Sequence, residues 1–366
     1  EVEAACTALL PCFASGVRRR RMNSSTTHGD NEMDPEELSW QKALTCVILG
    51  LCFLVGAPGN LLVMWTILRH VRPRSHTVLL ILNLAAADLL VLITMPIWIY
   101  SFAASWVFGE AVCKAIVYMI YSSMYSSVFL ISSLSVERFV AVLYPFALQN
   151  WRRKGVMTKV LVAIWILAFL FGIPSLLTHT IGEENKTQQC TFQEFSSASQ
   201  EIVCLVLETL VGFVIPFSVL SICYSCVWKR IKQMTFKSKQ KSTALILSVV
   251  VAFVVCWLPH HVGNVLSLVH LSLTESHPQA ADRVEDIRLS MQFLSAALVF
   301  LSSSVNPMLY AFAARNLRSS FQASRIKQLF QHISSSTVNE GTNELSFVSR
   351  KQISQTEHTS CSTASE

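Results

Sequence analysis

The residues able to do chemistry in this chain sit inside apolar runs. Asn60, Asp88, the neighbours Glu137 and Arg138, Glu208, Asn264 and Asn306 interrupt stretches of Val, Leu, Ile and Phe, with Trp165, Trp257 and several tyrosines nearby. An ionisable side chain in such a setting needs a counter-charge, a hydrogen-bonding partner or a water-filled cavity, so each marks a candidate functional position. No Gly-rich phosphate loop, His-Glu-x-x-His or nucleophile elbow occurs, and no Cys/His spacing suggests a metal site. No paired general acid and base stand out within the apolar runs either. The expected chemistry is therefore the making and breaking of charge pairs and hydrogen bonds, and not an enzyme's bond cleavage.

The elements that must position these groups are membrane helices. Of 366 residues, 52% are hydrophobic and 14% charged, whereas soluble domains carry about a quarter charged residues. Stretches long enough to cross a bilayer, roughly 20 residues each, run near 44–68, 77–102, 114–143, 158–178, 202–228, 243–270 and 289–313. The expected fold is an all-α membrane protein, a bundle of seven transmembrane helices. Six of the seven spans hold a proline: Pro58, Pro96, Pro174, Pro216, Pro259 and Pro307. Each frees a carbonyl and bends its helix, and bends make room for cavities and hinges.

Loop charges orient the bundle. With the first span running inward, the inner connections hold Arg69, Arg72, Arg74, Arg152, Arg153, Lys154, Lys229, Arg230, Lys232, Lys237, Lys239 and Lys241. The outer ones hold mainly Glu110, Glu183, Glu184, Glu194, Glu275, Asp282, Glu285 and Asp286, the asymmetry of the positive-inside rule. The net charge of +6 thus faces anionic inner-leaflet lipid and calls for no nucleic acid. Glycosylation sequons at Asn23 and Asn185 fall on the expected outer side, with the N-terminus extracellular. Residues 1–21 place an apolar part before a basic run, the reverse of a secretory signal, so the functional protein is expected to start at Met22, with an unusual extracellular extension as the alternative. Most of the 11 cysteines lie inside spans, but Cys113 and Cys190 both fall in the oxidising outer compartment, where a disulfide between them would pin a loop over the bundle.

Gly59-Asn60, NLAAAD ending at Asp88, Cys113, Glu137-Arg138-Phe139, Trp165, Pro216 with Tyr224, Cys256-Trp257-Leu258-Pro259 and Asn306-Pro307-Met308-Leu309-Tyr310 occur in one order. Over roughly residues 43–330 this resembles the rhodopsin-like (class A) G-protein-coupled receptors. The resemblance implies that Arg138 pairs with Glu137 at rest, with Phe139 departing from the family's tyrosine. It implies a polar pocket of Asp88, Ser127, Ser302 and Asn306 that takes an allosteric sodium ion, the chain's one implied metal and sole possible cofactor. It also implies a pivot at Trp257 beside Pro259, and a relay in which Tyr224, Pro307 and Tyr310 reposition toward Arg138.

The ligand follows partly by elimination within that resemblance. Ile120 stands where amine receptors carry an aspartate, and Phe300 where visual pigments carry a Schiff-base lysine. What remains is a lining of Tyr118, Tyr121, Tyr125, His179, Glu208, His260, His261, Asn264 and Gln292. It suits a lipid with a long apolar chain, hydroxyls and one carboxylate; a peptide could also fit. SMYSSV (123–128), LETLVGFVIPF around Glu208, WLPHHVGN and FLSSSVNPMLYAF (300–312) look like the leukotriene B4 receptors, chemoattractant receptors of leukocytes. His179 stands where that family has an arginine. Either His179 is protonated in place, or Arg288 or Lys114 supplies the cation.

The chain divides into an extracellular N-terminal segment (1–42), a seven-helix domain (43–315), an amphipathic membrane-surface helix (316–331) and a Ser/Thr-rich disordered tail (332–366). Expected partners are a leukotriene B4-like lipid, a heterotrimeric G protein of the inhibitory class at the basic inner face, receptor kinases and arrestin acting on the tail, and membrane lipids. A transporter would show inverted repeats with interrupted helices, which the sequence does not display.

Overall fold

The computed structural model describes residues 35–70, 76–144, 146–147, 155–184, 187–192, 195, 197–231, 237–314 and 331. Among them, seven helical spans are long and apolar enough to cross a membrane: Ala43–His70, His76–Ala103, Glu110–Leu143, Val156–Leu176, Ala198–Arg230, Leu247–Leu273 and Pro278–Leu309. The helices are α1 (Pro35–His70), α2 (His76–Leu92), α3 (Met95–Ala103), α4 (Glu110–Leu143), α5 (Val156–Gly172), α6 (Ala198–Thr209), α7 (Ile215–Ile231), α8 (Lys237–Leu273) and α9 (Pro278–Ala314). In hydrocarbon only a helix satisfies all its own backbone groups, which is why apolar runs of this length fold so.

Prolines shape the spans in different ways. The second span breaks between α2 and α3, where the Thr94 hydroxyl donates to the Val91 carbonyl at 2.7 Å and Pro96 starts the new helix. The fourth tightens into a 3₁₀ turn over Ile173–Leu176, which contains Pro174. In the fifth, a π turn at Leu210–Val214 joins α6 to α7, just ahead of Pro216. Pro58, Pro259 and Pro307 lie inside α1, α8 and α9.

Helix α4 is the hub, packing against α2, α5, α7 and α8. Its buried residues Leu130, Ile131 and Leu134 join Leu80, Ile81 and Leu84 of α2 in the main core. The opposite pattern marks lipid-facing surface: Val47, Leu51, Leu54, Leu61 and Leu68 form an exposed apolar stripe along α1. Polar links tie helices together. Asn60 donates to the Ser303 carbonyl at 3.0 Å, Ser304 to the Cys52 carbonyl at 3.0 Å, and Trp165 to Asn83 Oδ1 at 3.0 Å.

On the outer side, strands β1 (His179–Glu184) and β2 (Thr187–Phe192) form an antiparallel hairpin with Ile181 opposite Cys190. A disulfide joins Cys190 to Cys113 at the top of α4. The Trp106 amide donates to Gln188 at 2.7 Å and Ser101 to Gln189 at 2.7 Å, so the hairpin is strapped to the second and third spans together.

The seventh span corrects the sequence expectation. Its helix starts at Pro278, not near 289, so Asp282, Glu285 and Asp286 lie on helix and not in a connection. Proline suits a first helical position, and the Glu285–Arg288 pair, three residues apart, supports the charged first turns. Both sequons, at Asn23 and Asn185, lie outside the described residues, as do segment 1–34, most of 316–331 and the tail 332–366.

Gly59 meets Pro307 where α1 and α9 cross: a Cβ there would sit 2.7 Å from the proline Cβ, part of a rigid ring. Gly59→Ala should therefore lower the melting temperature of the detergent-solubilised protein, by an overpacking penalty of about 1–3 kcal/mol. Gly50→Ala, with nothing within 4 Å, should leave it unchanged or higher.

Candidate functional site

A small cavity opens between α4, the fifth span and α8, lined by Tyr121, Met124, Tyr125, Val128, Glu208, Gly212, Trp257 and His261. The four α4 residues recur at helical spacing and so share one face. Trp257 and His261, one turn apart, do the same on α8. Gly212 lies in the π turn, where the helix carries an extra residue, and a Cβ there would sit 3.3 Å from His261 Cε1. Glycine thus keeps the fifth span close to α8.

The polar groups are unevenly satisfied. Glu208 Oε1 lies 2.6 Å from His260 Nε2, both buried, a helix-to-helix pair at the cavity edge. His261 stacks on Phe213 at 4.9 Å and on Trp257 at 6.0 Å, yet neither ring nitrogen has a hydrogen-bond partner among the described residues. Asn264 reaches Thr209 Oγ1 at 3.5 Å, beside Glu208.

Several expected site residues lie elsewhere. Tyr118 turns toward the fourth span and donates to the Phe169 carbonyl at 3.2 Å. Arg288 is buried and held by both oxygens of Glu285, through Nε at 2.7 Å and Nη2 at 2.5 Å. Lys114 pairs with Glu110 at 2.7 Å near the surface. The side chains of Gln292 and Tyr310 lie outside the described residues. His179 is buried below the hairpin, edge-on to Tyr121 at 6.1 Å, and its Nδ1 faces the Ser175 carbonyl at 3.1 Å. Burial pushes its pKa down to about 4, against a smaller opposing effect of that carbonyl. Burial thus opposes protonation of His179 near pH 7.

Below the cavity, Asn306 donates to Asp88 Oδ2 at 2.8 Å, and the Ser127 and Ser303 hydroxyls bond to the same carboxylate. Ser303 takes the place expected of Ser302, whose hydroxyl donates to the Val299 carbonyl at 2.6 Å. Adjacent residues on a helix point about 100° apart, so a one-residue shift selects the other serine. At the inner end, Arg138 Nε lies 3.3 Å from Glu137 and Arg138 Nη2 donates to Thr77 Oγ1 at 2.7 Å. Tyr224 packs onto the same core from α7.

Sequence reasoning missed Met124, Val128, Gly212 and Thr77. The first two follow Tyr121 at i+3 and i+7, a spacing legible in the sequence. The other two depend on contacts between spans.

The chain is a bundle of seven membrane-crossing helices, with a buried cavity toward one end and the Glu137–Arg138 pair at the other. Residues 59–310 match the family described as 7 transmembrane receptor (rhodopsin family). The chain is 34% identical to leukotriene B4 receptor 1 of Homo sapiens, covering 81% of this chain and 83% of that protein. It is 36% identical to the Bos taurus protein of the same name, over 82% and 86%. Against atypical chemokine receptor 3 of Canis lupus familiaris it is 33% identical, over 73% and 74%. The chain belongs to the rhodopsin family of seven-transmembrane receptors, a multi-pass plasma-membrane protein and a receptor, not an enzyme.

The lowered pKa of His179 gives a pH prediction. The unfolded chain protonates this imidazole near its ordinary value of 6.5 while the folded one resists until about 4. Folding stability from this group is therefore fully present above 6.5 and is lost as pH falls through that window. Thermal melting at pH 7 and pH 5 should show a drop in melting temperature that His179→Gln reduces.

Proposed function

We propose that this receptor binds a lipid chemoattractant, most specifically leukotriene B4, and on binding activates a heterotrimeric G protein of the inhibitory class. The observation that carries the reading is the cavity itself: aromatic and aliphatic walls with a few convergent polar groups, resting directly on Trp257. Small-ligand sites have this character, apolar walls with a small number of placed polar groups. Relatives at 34–36% identity carrying the name leukotriene B4 receptor 1 support the same choice.

In this reading the apolar chain lies against Met124, Val128 and Trp257. Ligand hydroxyls exchange hydrogen bonds with Glu208, His261 and Asn264, with Tyr121 and Tyr125 shaping the walls. The carboxylate turns to the outer cations, where Arg288 and Lys114 can trade Glu285 or Glu110 for the ligand. His179, edge-on to Tyr121, borders the outer end of the site.

Displacement of Trp257 at the Pro259 bend would move the inner half of α8, and Tyr224, Pro307 and Tyr310 would relay the change to Arg138 and Glu137. The oxygen-rich set of Asp88, Ser127 and Ser303 beside Asn306 fits a hard monovalent cation such as sodium. Such an ion would offset the Asp88 charge and hold α2, α4 and α9 in the resting arrangement. Glycans at Asn23 and Asn185, and phosphorylation of the tail by receptor kinases with capture by arrestin, belong to the same proposal.

A peptide chemoattractant is the second reading, favoured by relatives such as C-X-C chemokine receptor type 1 of Oryctolagus cuniculus at 31% identity. The deciding experiment expresses the chain in cells and measures cyclic AMP. Leukotriene B4 should lower it, whereas silence toward this lipid together with a response to a peptide chemoattractant would overturn the ligand assignment. In the same cells, Glu208→Ala should weaken lipid binding by about tenfold or more, the scale of a lost charged hydrogen bond, at unchanged surface expression.

A further inference from the structure

We propose that Thr77 is the clasp that holds Arg138 in its resting position, an inference that rests on the reading of Arg138 as the inner switch. Thr77 lies in the first turn of α2 and Arg138 near the inner end of α4, both buried, and the guanidinium Nη2 donates to the threonine oxygen at 2.7 Å.

Glu137 cannot do this alone. It is the sequence neighbour of Arg138 on the same helix and moves with it, so their pairing ties α4 to nothing. The geometry is also loose: Nε and the carboxylate are 3.3 Å apart, and neither Glu137 oxygen nor Arg138 Nε makes a hydrogen bond among the described residues. Glu137 supplies opposing charge, while direction comes from Thr77.

The fifth and sixth spans offer no acidic substitute. From Thr209 to Thr274 the chain contains no Asp or Glu. The inner parts of those spans instead carry Lys229, Arg230, Lys237, Lys239 and Lys241, whose charges oppose that of Arg138. Among the described residues, the hydrogen bond that ties Arg138 to another helix runs to an uncharged acceptor on α2. Thr77 supplies it.

The test compares the full chain, Thr77→Val and Thr77→Ser in lipid nanodiscs. Valine keeps the buried shape and removes the acceptor; serine keeps the hydroxyl. Ligand-free nucleotide exchange on an inhibitory-class heterotrimer should rise about tenfold with valine and stay within about twofold of the parent with serine, the scale expected for one hydrogen bond to a charged group. A second readout needs no G protein: spin labels carried by unnatural amino acids at exposed His70 and Leu247 report the inner-end separation. Valine alone should enlarge the outward population.

Equal exchange and equal distances in all three proteins would overturn the clasp, as would equal increases with valine and serine, which would assign the effect to shape. If the parent drives no exchange with leukotriene B4 or a peptide agonist, the coupling reading fails, and the label distances alone decide the clasp.

Discussion

Hydrocarbon offers a buried polar group no partner, so each must find one on another helix or face a cavity. This constraint organises the bundle more than apolar contact does, because lipid tails satisfy an apolar side chain as well as a neighbouring helix. The cross-helix bonds form a chain through the molecule. Glu208 meets His260 between the fifth and sixth spans, and Asp88 meets Asn306 between the second and seventh. Trp165 meets Asn83 between the fourth and second, and Arg138 meets Thr77 between the third and second. Each bond specifies a neighbour and a rotation at once, so helices with little amphipathic contrast settle into one arrangement.

The places where the constraint is not met are equally informative. Both nitrogens of His261 lack a hydrogen-bond partner among the described residues, and so do the Glu137 oxygens. A buried polar atom left this way is destabilising, typically by about 1–3 kcal/mol. His261 lines the cavity and Glu137 lies at the inner end of the bundle, the two regions that the proposed mechanism requires to change partners. A region already short of hydrogen bonds in one arrangement has the most to gain from another.

Legibility from sequence follows the same physics. The seven spans are readable because little besides a bilayer selects for unbroken apolarity over such a length, and Cys113 and Cys190 because they stand apart from the intramembrane cysteines. The start of the last span is not, since the charges of DRVEDIR mimic a loop while Glu285 and Arg288 support a helix. The polar cluster around Asp88 is legible, but Ser303 stands where Ser302 is expected, because proximity to a motif does not fix rotation about the helix axis. Tyr118 misleads for the same reason. Thr77 is invisible: an ordinary threonine at a helix start acquires meaning only when α4 brings Arg138 to it.

Proline and glycine reconcile tight packing with movement. Gly59 against Pro307 and Gly56 against Ser304 let α1 lie close along α9, so the first and seventh spans form a stiff wall. Beside the cavity, the fifth span departs from regular α-helix in the π turn at Leu210–Val214, and Pro259 removes a backbone donor within α8. A uniformly stiff bundle would resist a ligand arriving at Trp257, and a uniformly soft one would dissipate its effect. In the proposed mechanism the irregular fifth span and the Pro259 position give a displacement at Trp257 a route along α7 and α8, toward the end where a charge-assisted hydrogen bond links the buried Arg138 guanidinium to Thr77.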